Sequence, residues 1–199
     1  AGVRCYLAVA GGFLLKPTLG SCATVLREKI GGIAGLPLNE GQLLPAKPAT
    51  NECVHRSIDY QFQFKAKAMQ QIPFVLGAQQ AELGVQLISS FLANVYKVQP
   101  NSDRMGIRLQ GAGLPVVSQA LLSEGICLGA IQIPADGQPI VMLNDHQTIG
   151  GYPKVGAVTR IGVSALGQIR PGHLLRFVPI SVAEAVDRAR RYEQWLSRL

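Results

Sequence analysis

The stretch Leu143-Asn-Asp-His-Gln-Thr-Ile-Gly-Gly-Tyr-Pro-Lys154 concentrates polar side chains and glycines between two apolar segments. Asp145 offers a carboxylate that serves as a base or orients a donor. Gln147 and Thr148 can hydrogen-bond a carbonyl or a carboxylate. Gly150 and Gly151 let a backbone approach a ligand closely and turn N–H groups toward an oxyanion, and Tyr152 can flank the same pocket. The competing reading is a long connection held by Asx-type hydrogen bonds, with the glycines present only for their φ angles. A second candidate is Asp103-Arg-Met-Gly-Ile-Arg108, where Arg104 follows turn chemistry and can aim a two-pronged cation at a carboxylate or phosphate. A plain surface ion pair is its alternative. His55, His146 and His173 stand singly, and a histidine without a partner is more often structural than catalytic.

Short strands must position these residues. With 22 glycines and 12 prolines in 199 residues, tight turns are favoured over long helices. Arg4–Gly12 reads as a buried strand running into a glycine turn. Asn39–Leu44 reads as a turn feeding another strand, and Pro45–Thr50 as a linker. Ile58–Phe64 alternates in the manner of a strand with one wet face. Ile72–Leu76, Val95–Val98, Ile126–Ile133 and Lys154–Val163 follow as strands, and Pro134–Gly137 turns the third of these back through Gln138–Leu143. Leu83, Leu87, Ile88, Phe91 and Leu92 recur at helical spacing, which predicts an amphipathic helix over Gln79–Ala93. Ser181-Val-Ala-Glu184 is a capping box that opens a helix to Leu196, with Val182, Val186, Ala189 and Tyr192 expected to pack on the body. Arg170–Leu175 repeats the turn, glycine and paired leucines of Asn39–Leu44, a hint of duplicated barrels. The expected fold is mainly β with a few covering helices. Residues 1–50 would form the remainder of a first subdomain, and residues 51–199 a second with the C-terminal helix.

Composition excludes several classes. The chain is 48% hydrophobic and 16% charged, unlike a disordered or coiled-coil protein. Its net charge of +7, from 19 basic and 12 acidic residues, is scattered rather than gathered into a stripe, so no nucleic-acid partner is expected and an anionic small molecule fits better. No apolar run has the length of a membrane span and no signal peptide is evident, which places the chain in the cytoplasm. Cys5, Cys22, Cys53 and Cys127 are far apart, with no metal-binding spacing, so no metal site is expected. Phosphate-loop, GxSxG and HExxH motifs are all absent.

Six motifs occur in order: Tyr6-Leu-Ala-Val-Ala-Gly-Gly12, Leu19-Gly-Ser21, Ser102-Asp-Arg-Met-Gly-Ile-Arg-Leu109, Gly129-Ala-Ile-Gln-Ile-Pro134, Asp136-Gly-Gln-Pro-Ile140 and Gln147–Pro153. Together they resemble the family of the C-type subunit of 5-oxoprolinase, also called biotin-dependent carboxyltransferase or allophanate hydrolase subunit 2. The resemblance covers nearly the whole chain, which would be shortened at its N-terminus by about a third of the family's length. It departs from the family at Ile149, where a threonine is usual in the Gln-Thr-Thr-Gly-Gly run. Val25 stands where an aspartate is common, and His173 where the late Pro-Gly turn carries an aspartate.

The resemblance implies cyclophilin-like β-barrels. It also implies membership of a complex with a B-type subunit of related fold and a third, A-type protein. That complex would open 5-oxoproline to glutamate at the expense of ATP, held with magnesium by the complex. On these motif positions Arg104 would anchor the substrate carboxylate. Gln147, Thr148 and the Gly150-Gly151 backbone would bind carbonyl or phosphate oxygens beside Tyr152, and Asp145 would orient or relay a proton. A second expectation is carboxyl transfer to urea or another amide from biotin carried on another chain, since no biotinylation motif is present. A third is a non-catalytic regulator that binds a B-type partner.

Overall fold

The computed structural model describes residues 2–49, 67–115 and 122–198. The chain divides into two compact units, Cys5–Gln63 and the remainder, Ala1–Arg4 with Phe64–Leu199.

The larger unit is a closed seven-stranded barrel. Its strands are β1 (Met69–Leu76), β2 (Tyr96–Val98), β3 (Gly106–Gln110), β5 (Ala130–Gln132), β6 (Ile140–Met142), β8 (Lys154–Val158) and β9 (Leu174–Pro179). Around the barrel the order is β1-β8-β5-β6-β3-β2-β9. The β1–β9 pair that closes it is parallel, with Ile72 opposite Phe177, while the other ladders are antiparallel. Two short strands, β4 (Glu124–Gly125) and β7 (Ile149–Gly150), form a separate ribbon.

Alternation along the strands sends Ile72, Phe74, Val98, Ile107, Leu109, Ile131, Val141, Val155, Leu175 and Phe177 into one apolar core. Helix α1 (Gln80–Ala93) adds Leu83, Leu87 and Phe91, the spacing of one helical face. Phe91 stacks on Phe177 with ring centroids 4.8 Å apart, and Phe74 meets both rings edge-on. Tyr96 completes the aromatic group, and its buried hydroxyl donates to the Phe91 carbonyl at 3.2 Å. The helix is not continuous: Gly84 adopts φ 76° and ψ 156°, a conformation essentially reserved for glycine.

Several sequence expectations change. Strand β8 ends at Val158 rather than Val163, because Thr159 caps helix α2 (Arg160–Leu166), its hydroxyl accepting the Gly162 N–H. The expected Ile126–Ile133 strand is split by a turn in which the Ala130 N–H reaches the Cys127 carbonyl and Gly129 takes φ 83°. Helix α3 (Val182–Leu196) starts as expected, with Ser181 Oγ accepting the Glu184 N–H, but only half of a capping box forms because the Glu184 carboxylate pairs with Arg188. Its apolar face packs down only in part: Ala189 is partly buried, but Val182, Val186 and Tyr192 are exposed and no described residue of α3 is fully buried.

The smaller unit has no regular strand among its described residues. Arg4–Gly12 is not a buried strand: Tyr6 is 96% exposed, and among the described residues the bonds of this backbone are the Gly12–Val9 turn, the Lys47–Gly12 bond and the Arg4 N–H to Gln168 Oε1. Asn39–Leu44 forms a turn without a following strand, and Leu43 is exposed. Pro45–Lys47 is tied down rather than a free linker, through Leu14 to Pro45, Lys47 to Gly12 and a Phe13–Ala46 bridge. The expected strand Ile58–Phe64 lies outside the described residues.

Candidate functional site

Arg104 is placed by turn chemistry just ahead of β3. The Asp103 carboxylate accepts the N–H groups of Met105 and Gly106 at 2.8 and 3.1 Å, and Ser102 Oγ accepts that of Arg108 at 3.0 Å. The chain leaving β6 lies alongside, with the Leu143 N–H on the Met105 carbonyl and the Asp145 N–H on the Arg104 carbonyl. The β3–β6 register continues through Leu143 and Met105 and slips by one residue at Asp145 and Arg104. Arg104 then grips Asp145 with two prongs, Nε to Oδ2 at 2.7 Å and Nη2 to Oδ1 at 3.0 Å. A guanidinium carries five N–H donors, so the edge bearing Nη1 is left for a ligand.

Beyond Asp145 the chain turns at His146, whose N–H returns to the Leu143 carbonyl and whose Nδ1 is buried without a hydrogen-bond partner. It then runs into the ribbon. The Ile126 N–H reaches the Thr148 carbonyl, and Glu124 lies opposite Gly150. By the alternation of an antiparallel ladder, Gly150 directs its own N–H to β4. The Gly150 N–H is thus committed to the ribbon, and the side chains of Gln147 and Thr148 are donors that this bend presents. Thr148 and Gln147 are exposed, Tyr152 is about half exposed, and Gly151 is partly covered.

The ribbon lies on the outer face of the barrel, where Ile126, Ala130 and Met142 form a second apolar cluster with Ile140. Three residues that the motifs did not single out as site residues belong here. Gln132 is 1% exposed, and its Nε2 has no hydrogen-bond partner. Lys154 faces Gln132 across the β5–β8 ladder and forms an ion pair with Glu124. Gln79 joins the parts, its Oε1 accepting the Lys154 N–H and its Nε2 donating to Glu124, each at 2.8 Å. The strand parity of Ile131 and Ile133 inside against Ala130 and Gln132 outside is the signal that would have drawn attention to Gln132.

The structure thus brings Arg104 onto Asp145, and sets the side-chain amides of Gln147 and Gln132 beside Gly150 together with Ile126. A shallow groove of about 200 Å³ lined by Gln99, Arg108, Asp136 and Gln138 contains none of these residues. Among the described residues no three His, Cys, Asp or Glu side chains group as metal ligands, and Cys5, Cys22 and Cys127 are exposed free thiols. No described helix is long and apolar enough to cross a membrane.

Residues 1–179 match the family described as carboxyltransferase domain, subdomain A and B. The chain belongs to that family. Within it, the whole chain is 36% identical to the C-type subunit of 5-oxoprolinase from Escherichia coli (strain K12), and 34% identical to the protein of that name from Haemophilus influenzae. It spans 64% and 63% of the length of these two relatives. Among solved structures, the K. lactis urea amidolyase superposes with a TM-score of 0.73 at 25% identity, over 89% of this chain and 12% of that one. This carboxyltransferase-domain chain is accordingly related both to one component of a 5-oxoprolinase and to part of a urea amidolyase.

Proposed function

We propose that this chain acts within a multi-protein, ATP-dependent 5-oxoprolinase that opens the lactam of 5-oxoproline to glutamate. The observation that carries the reading is the Arg104–Asp145 pair, set immediately ahead of the Gln147–Tyr152 bend. Asp145 occupies one edge of the guanidinium and fixes its plane, which pre-orients the free edge toward a carboxylate. Arg104 anchors the substrate carboxylate there. Gln147 and Thr148 hydrogen-bond carbonyl oxygen, Gly150 and Gly151 keep the bend free of side chains beside it, and Tyr152 flanks the substrate. Asp145 orients Arg104 and is the carboxylate best placed to relay a proton.

The bend does not fit a triphosphate. The Gly150 N–H is turned to β4, and the nearby cations Lys154 and Arg104 are already paired with Glu124 and Asp145, too little positive charge to match the several negative charges of a triphosphate. ATP and its magnesium ion are therefore assigned to the partner proteins, one B-type and one A-type. When bound, ATP supplies the driving force for amide opening.

The test is the assembled complex in the presence of ATP. ATP hydrolysis and glutamate release should both depend on 5-oxoproline; ATP hydrolysis indifferent to 5-oxoproline would contradict the reading. The likeness to the K. lactis urea amidolyase favours one alternative, carboxyl transfer to urea or another amide from biotin borne by another chain. Turnover of carboxybiotin that depends on urea and not on 5-oxoproline would establish that alternative instead.

A further inference from the structure

We infer that Glu124 is a positioning residue that closes the loop of residues 150–154 as a clasp, holding the segment with Gly151 and Tyr152 in one shape. The inference rests on reading the Gln147–Tyr152 bend as substrate-binding, and it names what holds that bend in place.

One residue holds both ends of the loop. At its start, the backbone of Gly150 pairs with that of Glu124 in the β4–β7 ribbon. At its end, the Lys154 ammonium forms an ion pair with the Glu124 carboxylate. Gln79 ties the two contacts together: its Nε2 donates to Glu124 Oε1 and its Oε1 accepts the Lys154 N–H, each at 2.8 Å. Gln79 stands at the N-cap position of α1 but gives the helix no side-chain bond, and both ends of its amide go to the clasp instead.

The loop has little else to hold it. Among the described residues, Gly151 and Tyr152 make no backbone hydrogen bond, so their placement follows from the two ends. The ribbon that carries the first end is two residues long on each strand, too short to be stable unsupported. Ile126 packs it on the barrel in the cluster with Ala130 and Met142, which fixes the strand pair and not the loop beyond it. The Lys154 side chain is 16% exposed, and its Nζ has no hydrogen-bond partner beyond the ion pair. Removing the carboxylate therefore leaves a largely buried ammonium alone, and the second end is driven to move toward water.

The test compares the full chain with Glu124→Gln, Lys154→Met and the double variant, the last of which buries no lone charge. Hydrogen exchange of the backbone amides at positions 150 and 154, read by NMR, should accelerate at least about tenfold in each single variant, with barrel amides such as Ile131 and Phe177 unchanged. The double variant should exchange no faster than the faster single one, because one interaction has been removed twice. In the assembled complex, KM for 5-oxoproline should rise several-fold in Glu124→Gln, with kcat and KM for ATP near the wild-type values. Accelerated exchange with an unchanged KM for 5-oxoproline would uphold the clasp and reject the bend as the substrate site. Unmoved exchange at positions 150 and 154 would overturn the inference. So would equal acceleration of the barrel amides, which would mark the pair as a general structural contact, or additive effects in the double variant.

Discussion

Arg104 and Asp145 hold each other twice, once through side chains and once through the backbone. The guanidinium grips the carboxylate with two prongs, and the Arg104 carbonyl accepts the Asp145 N–H at 3.0 Å. The backbone bond lies just beyond the end of the β3–β6 ladder, one residue out of its register, so the slip there sets where the ion pair sits. Two segments 41 positions apart in sequence thereby present one charged device at a strand end.

Asp145→Asn separates the two layers of that relationship. The backbone bond survives and the charge is lost. Because both side chains are partly exposed, the pair contributes little to folding, about 0–1 kcal/mol. Thermal unfolding should move by only a few degrees, while KM for 5-oxoproline in the assembled complex should rise several-fold as the guanidinium loses its fixed plane. A large fall in melting temperature with unchanged KM would make Asp145 a structural residue.

Gly84→Ala tests the break in α1. No atom lies within 4 Å of the position a Cβ would take, so the cost is conformational alone. At φ 76° and ψ 156° an alanine is strained by roughly 1–3 kcal/mol. Denaturant unfolding should show that loss. A stabilised variant would mean that the helix runs straight through residue 84.

Tyr96 makes the fold sensitive to alkali. Burial pushes its phenol well above the ordinary value of 10.0, outweighing the opposing hydrogen bond from Asn94. The unfolded chain loses this proton near pH 10, whereas the folded chain keeps it. Stability is therefore complete below pH 10 and falls as pH rises beyond it. Tyr96→Phe should lose about 1 kcal/mol at neutral pH, with its bond to Phe91, and should show a shallower alkaline decline. Parallel declines in the two proteins, followed by denaturant unfolding across pH, would contradict this account.

Apolar periodicity made the core of the barrel unit legible in sequence. Leu83, Leu87 and Phe91 gave the helix its face, and the Pro134–Gly137 turn gave the β5–β6 hairpin. Polar punctuation inside apolar runs was harder to read. Thr159 caps a helix in the middle of Lys154–Val163, where Val155, Val158 and Val163 read as one strand. The turn at Gly129 likewise sits inside an apolar run. Arg104, Asp145 and Gln147 stood out because they follow turn chemistry. Gln132 and Lys154 did not, since each lies within or at the edge of an apolar strand and gains meaning only when the ribbon covers the outer face. Helix α3 marks the opposite limit: its amphipathic pattern was correct, but its face is only partly covered, with Val182, Val186 and Tyr192 left exposed.

The most direct test of the account is the dependence of the assembled complex on Arg104. Steady-state kinetics of glutamate release should be measured for the wild type, Arg104→Lys and Arg104→Ala, with 5-oxoproline and ATP varied separately. Loss of a charge-assisted, two-pronged contact predicts that KM for 5-oxoproline rises at least about tenfold in Arg104→Ala, equivalent to ~1.4 kcal/mol, with KM for ATP unchanged. Arg104→Lys should recover only part of the loss, because an ammonium cannot bridge Asp145 and a carboxylate in one plane. A KM for 5-oxoproline that stays at the wild-type value in Arg104→Ala would contradict the assignment of this bend as the substrate site.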